Sequence, residues 1–110
     1  MLKPIEIEVE REKTTRQSIL NDALKCVCGD REQDYGSPED SFQAIANLWN
    51  DYLGAKGMPV DIEPNDVAAM LALLKIARIA TGHGKEDNWI DLAGYAACGG
   101  EIEGRNNNAE

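Results

Sequence analysis

Aromatic side chains are scarce in this chain: one Phe, two Trp and three Tyr among 110 residues, 5% in all. The single histidine, His83, stands between Gly82 and Gly84 with no second His or Cys at ligand spacing, so there is no zinc centre to build on it. Cysteines number three, an odd count. Cys26 and Cys28 fall on one expected helix with side chains about 200° apart, which excludes a local disulfide or zinc knuckle. Together with Cys98 they read as reduced, mostly buried small hydrophobes. There is no run of about 18 apolar residues and no basic segment leading into an apolar one, so neither membrane insertion nor secretion is expected, and a cytoplasmic location is. Positive charge is the last shortage. Lys and Arg total 11 against 20 Asp and Glu, a net charge of -9, and no basic cluster reverses it locally. Such a surface repels a phosphate backbone, which argues against polymeric nucleic acid as a partner. A nucleotide partner would have to be small and to carry a metal ion.

What is present is 43% apolar composition, enough for one small domain. A chain of this size buries about 65% of the surface that its unfolded form exposes, so the core is thin and a second copy is expected to help. Residues 4–10 read Pro-Ile-Glu-Ile-Glu-Val-Glu, an apolar/acidic alternation that suits a half-buried strand. No partner strand is evident. The segment could pair with its own copy, lie on the helices or be disordered; an extended arm over residues 1–13 is expected, with Ile5, Ile7 and Val9 at an interface. Residues 104–110, Gly-Arg-Asn-Asn-Asn-Ala-Glu, offer nothing to bury and read as a mobile tail.

Between these ends the pattern predicts four helices, an all-α, four-helix bundle-like domain over residues 14–103. Thr14 and Gln17 resemble a capping box, followed by Ile19, Leu20, Ala23, Leu24 and Val27 at helical spacing, ending near residues 30–33. Ser37-Pro38-Glu39-Asp40 supplies a cap, a proline at the first helical position and acids in the first turn of a second helix that stops at Gly54. Glu63-Pro64-Asn65-Asp66 starts a third, apolar almost all round, with Lys75 and Arg78 as its only charges after the first turn. That composition predicts the central helix of the bundle. Gly82 ends it. The fourth opens at Lys85-Glu86-Asp87 and fades at Gly99-Gly100.

Chemistry concentrates at two places. On the fourth helix Asp87 and Asp91 are four residues apart and share a face, with Tyr95 next along the stripe and Asn88 three residues before Asp91. Asp91 lies among Trp89, Ile90, Leu92 and Ala93, where an unpaired carboxylate costs several kcal/mol, so it needs a cation. That cation is either Mg²⁺, which takes a few carboxylates plus substrate phosphates, or a structural partner on the third helix, Lys75 or Arg78. Asp87 alone reads as an ordinary first-turn acid. The second place is the turn between the first two helices, where residues 30–40 hold five carboxylates. A solvated loop explains the charges. Tyr35 followed by Gly36 could instead present a ring for stacking on a base, with Glu32 and Asp34 adding metal ligands.

Asp34-Tyr35-Gly36, Leu74-Lys75-Ile76-Ala77-Arg78 and the run Glu86-Asp87-Asn88-Trp89-Ile90-Asp91-Leu92-Ala93-Gly94-Tyr95-Ala96 together resemble, in order and spacing over residues 30–102, a family of small phage and prophage proteins associated with nucleotide modification. More remotely the arrangement is similar to the MazG-type all-α nucleoside triphosphate pyrophosphohydrolases. That resemblance implies an oligomerising helical bundle in which acids on neighbouring helices hold Mg²⁺ while water attacks a phosphate and pyrophosphate leaves. Asn88-x-x-Asp91 stands where the wider group has Glu-x-x-Asp. The other motif of that group, Glu-Glu-x-x-Glu, is absent, its nearest counterparts being Glu32, Asp34, Glu39 and Asp40, so the resemblance implies nucleotide binding more directly than turnover.

Three functions are therefore expected to compete. The first is Mg²⁺-dependent pyrophosphohydrolysis of a nucleoside or deoxynucleoside triphosphate. In it Asp91, Asp87 and Glu32 are catalytic, Asp34 is a further metal ligand, and Tyr35, Gly36, Lys75, Arg78, Asn88 and Tyr95 bind the nucleotide. The second is a non-catalytic protein that sequesters a host nucleotide signal in the same pocket. The third is a structural bundle for protein partners. A homo-oligomer, dimer or tetramer, is expected in each, because the third helix and the indoles of Trp49 and Trp89 offer more apolar surface than four short helices cover.

Overall fold

The computed structural model describes residues 13–29 and 37–108. They form four helices and, among the described residues, no strand: α1 (Arg16–Cys28), α2 (Pro38–Ala55), α3 (Pro64–Ala80) and α4 (Glu86–Asn108). The all-α reading holds. The expected arm over residues 1–13 lies almost wholly outside the described residues.

The first three helices begin where a side chain meets a backbone amide at the cap. Thr15, one residue later than the expected cap, accepts from the Ser18 amide at 3.0 Å, while Ser18 Oγ accepts from the Thr15 amide at 2.8 Å. The hydroxyl of Ser18 does here what Gln17 was expected to do. Ser37 caps α2 as the sequence suggests, with Pro38 at the first helical position. At α3 the Asp66 carboxylate turns back to accept from the Glu63 amide at 3.0 Å. Gly82, at φ +89°, breaks the chain out of α3, a backbone conformation that costs glycine least.

Two expectations need correction. The helix that meets all three others is α4, not α3: α1 and α3 pack along α4 and α2 touches it lightly, whereas α3 meets closely only α4 and α2, the latter packing chiefly on it. The reason lies in size. Gly94 of α4 sits against Val27 of α1, and Gly99 against Ala68 of α3, so closely that a further methyl group at either place would press on its neighbour. Small residues on several faces let several helices approach; the bulky apolar residues of α3 do not. The same close approach carries α4 past Gly99 and Gly100, where it was expected to fade. It runs to Asn108, so residues 104–108 of the expected mobile tail are helical. Arg105 helps to hold that end, paired with Glu101 one turn earlier and with Glu39 of α2 at 3.1 Å. The hydrogen bond donated to Glu39 and the charge of Glu101 keep the guanidinium pKa above its ordinary value.

The core gathers at one end of the α3–α4 pair, where Phe42 and Ala46 of α2 meet Val67 and Ala68 of α3 and Cys98 and Ile102 of α4. Trp49 and Tyr95 pack against it. Asn50 fastens the loop that follows α2, donating to the Ile62 carbonyl at 3.0 Å and accepting from the Ile62 amide at 2.8 Å. None of the three cysteines forms a disulfide, and only Cys98 is buried; Cys26 is half-buried and Cys28 exposed, less buried than expected. Among the described residues no helix is long and apolar enough to cross a membrane.

Candidate functional site

The opposite end of the α3–α4 pair, toward the turn that joins the two helices, is polar. Lys75, three turns into α3, extends an ammonium group to Asp91 of α4, Nζ to Oδ2 at 2.9 Å. The lysine side chain is 12% exposed and the aspartate 32%. Of the two cations the sequence offers to Asp91, Lys75 is the one that reaches it. Arg78 is exposed, with no ion-pair partner among the described residues.

The pair follows from helix periodicity. Ala68 of α3 abuts Gly99 of α4, and seven residues further along α3, two turns on the same side, comes Lys75. Since the helices are antiparallel, moving back two turns from Gly99 along α4 brings Asp91 opposite. One more turn back is Asp87, exposed and on the same stripe as Asp91. The two carboxylates and the two basic groups thus belong to one end of one helix pair.

Asn88 and Tyr95 are engaged elsewhere. Asn88 is the one buried polar residue among those described, and its Nδ2 donates to the His83 carbonyl. It closes the α3–α4 turn, together with the hydrogen bond from the His83 amide to the Arg78 carbonyl at 2.9 Å. An Asn in the first turn of a helix, five residues after a Gly-His-Gly turn, is the sequence signal for that role. Tyr95 is half-buried, its ring 6.4 Å from that of Phe42, and belongs to the apolar core. Glu86, one residue before Asp87, accepts from the Thr14 hydroxyl at 3.1 Å and ties the start of α1 to the start of α4. Glu32, Asp34, Tyr35 and Gly36 lie outside the described residues.

Chemically, the end of the pair offers two carboxylates a turn apart, one with its Oδ2 held by an ammonium, and a guanidinium open to solvent. Two carboxylates suit Mg²⁺, which keeps its other positions for water and phosphate oxygens. Among the described residues no three His, Cys, Asp or Glu side chains gather into a metal-holding group. A groove of about 260 Å³ lies elsewhere, between α1 and α4, lined by Leu20, Ala23, Val27, Ala93 and Ala97. It is apolar, with Glu101 at its edge, and has no group for a phosphate.

Comparison with known proteins gives a family rather than an activity. The profile of a family described as a domain of unknown function (DUF6378) matches residues 18–103. The chain is 43% identical over 79 residues to the Gene 55 protein of Mycobacterium phage L5, a stretch covering 72% of this chain and 48% of that protein. It is 40% identical over 83 residues to the Gene 55 protein of Mycobacterium phage D29, covering 74% of this chain and 51% of that one. The chain therefore spans about half the length of these curated relatives. No solved structure matches it.

Proposed function

The chain belongs to the DUF6378 family, which has relatives among phage proteins, and on that premise we propose that it binds a small magnesium-complexed nucleotide at the polar end of the α3–α4 pair. The observation that carries this reading is the Lys75–Asp91 contact of 2.9 Å with Asp87 and Arg78 both exposed and each one turn nearer the α3–α4 turn. Asp87 and Asp91 would hold Mg²⁺, which offsets phosphate charge and polarises a phosphorus–oxygen bond. Lys75 fixes the orientation of the Asp91 carboxylate. Arg78, free to move in solvent, supplies the planar fork that suits phosphate oxygens. In a protein of net charge -9 this is where two cations stand within one turn of each other on a helix. Hydrolysis of a triphosphate with loss of pyrophosphate, the MazG-like activity, extends the reading: Glu32 and Asp34 of the α1–α2 connection are the further acids that the sequence offers for it.

The test uses Asp87→Asn, because Asp87 is exposed and its loss leaves the fold alone. Wild-type protein is titrated with a panel of nucleoside and deoxynucleoside mono-, di- and triphosphates, with and without Mg²⁺, and the products are separated. Mg²⁺-dependent binding weakened at least tenfold by Asp87→Asn and by Arg78→Ala supports the site; pyrophosphate release adds turnover, and unchanged ligand leaves sequestration. A wild type indifferent to Mg²⁺ and to every nucleotide removes the proposal.

A second reading has its own observation. Direct contact between Lys75 and Asp91 is also what a purely structural bridge between α3 and α4 requires. On that reading Asp91→Asn lowers the melting temperature, and neither Asp87→Asn nor Arg78→Ala changes any measurable property.

A further inference from the structure

The outward side of α3 is the longest uncovered apolar surface among the described residues. At 100° per residue, Ala69, Met70, Leu73, Leu74, Ile76 and Ala77 fall within an arc of about 160°, and all six are exposed. Ala68, which is buried, points the other way, against Gly99 of α4, and Val67, buried at the start of the helix, lies just beyond the Leu74 edge of the arc. Leu73, at the middle of the arc, is 64% exposed. Nothing at the helix termini or in turn geometry requires these positions to be apolar.

We propose that the chain forms a homodimer whose two-fold axis crosses this face of α3, so that two α3 helices pack antiparallel with Leu73 near the axis. Area is the first argument. The exposed parts of these side chains come to on the order of 500 Å², toward the upper end of what a monomer leaves in one patch and approaching half of the roughly 1,200 Å² total at which specific interfaces begin. Charge is the second. Two copies of a chain with net charge -9 repel each other, yet residues 67–74 and 76–77 carry no charge, and Lys75 is turned inward to Asp91. The outward face is where two copies meet without opposing carboxylates. Shape is the third: Ala69 and Ala77 stand four residues to either side of Leu73, giving each leucine a hollow between small residues of the facing helix. A two-fold interface needs this self-complementarity.

Light scattering at tens of micromolar tests the proposal, with the full chain in its wild-type form. The expected mass is about 24 kDa, twice the 12.1 kDa chain. Leu73→Glu is expected to halve that mass while leaving the helical circular dichroism intact, since Leu73 touches no core residue. Ile76→Lys, on the same arc, replaces it if Leu73→Glu loses helicity. Leu20→Glu, equally exposed but on α1, is the control and should leave the mass at about 24 kDa. A wild type of 12 kDa overturns the proposal. So does dissociation by Leu20→Glu with Leu73→Glu unaffected, which would put the interface at the α1–α4 groove. So too does a wild-type monomer that dimerises only when residues 1–10 are deleted, which would make the chain's own arm the occupant.

Discussion

α3 carries the longer apolar run, yet α4 is the helix that the other three touch. Of α3 only Val67 and Ala68 are buried, while Met70, Leu73, Leu74 and Ile76 face water. Of α4, a helix with four glycines, Asn88, Ile90, Gly94, Cys98 and Ile102 are buried, on faces that turn toward three different neighbours. Apolar content measures how much a helix gains from burial. Whether it is buried within its own chain depends on how closely others can approach, and that is a matter of side-chain size. α4 is built to be approached, and α3 to pack against α4 and α2 and leave its outward side for something else.

Removing a large aliphatic side chain from each helix in turn should separate α4 from α3 most strongly. Ile102→Ala in α4 takes a residue that is 3% exposed out of the core and should cost about 2–5 kcal/mol. Leu73→Ala in α3 leaves no internal cavity and should stay within about 0.5 kcal/mol in the monomer. Chemical denaturation measures both, at a concentration low enough to hold the wild type as a monomer. Equal losses at the two positions would mean that α3 is covered within the chain. The prediction for Ile102 also tests where α4 ends: an Ile on a frayed terminus could not cost so much.

Next in size is Gly99→Leu. A Cβ at Gly99 would stand 3.0 Å from the Cβ of Ala68, and both helices would have to part to admit the rest of the side chain. Overpacking of this kind costs about 1–3 kcal/mol, more than the ~1 kcal/mol that helix propensity returns on replacing glycine. A melting temperature lower by roughly 4–8 °C for each kcal/mol is expected. An unchanged melting temperature would show that α3 and α4 are not held by this contact.

The polar end of the pair gives a loss of similar size by a different cause. Asp91→Asn keeps the shape and removes the charge, leaving Lys75 with a mostly buried ammonium and no counter-charge. The expected loss is about 1–3 kcal/mol, between that of an exposed pair and that of a fully buried one. Lys75→Met, which takes away the stranded cation, should restore most of it in the double variant. A double variant no more stable than Asp91→Asn alone would mean that the carboxylate stabilises α4 by itself.

Much of this was legible in the sequence because caps and breakers are local. Ser37-Pro38, the Glu63–Asp66 start and Gly82 stand where the helix bounds fall. The need of Asp91 for a cation was legible too, since a carboxylate among Trp89, Ile90 and Leu92 requires one whatever the fold. Which cation it would be was not. Lys75 and Arg78 differ by less than one helical turn, and only the placement of Ala68 against Gly99 decides which of them faces α4. The centrality of α4 was hidden for the same reason: glycines read as stops when the partner helix that uses them is unknown. Asn88 drew attention as a polar residue beside Asp91, but its amide is used by a carbonyl in the turn before it.

The smallest effect expected separates two adjacent glycines of α4. Gly100 has open space where a Cβ would go, within a helix that continues for eight further residues. Alanine there restricts the unfolded chain and meets nothing in the folded one, so Gly100→Ala should stabilise by about 0.4–1 kcal/mol, raising the melting temperature by a few degrees. At Gly99 even a methyl group presses on Ala68, and Gly99→Ala should gain less than Gly100→Ala or lose outright. The order of the two melting temperatures is the measurement. If Gly99→Ala were the more stable, the approach of α3 to α4 would not rest on the absence of a side chain, and the account of α4 as the helix shaped for three neighbours would lose its closest contact.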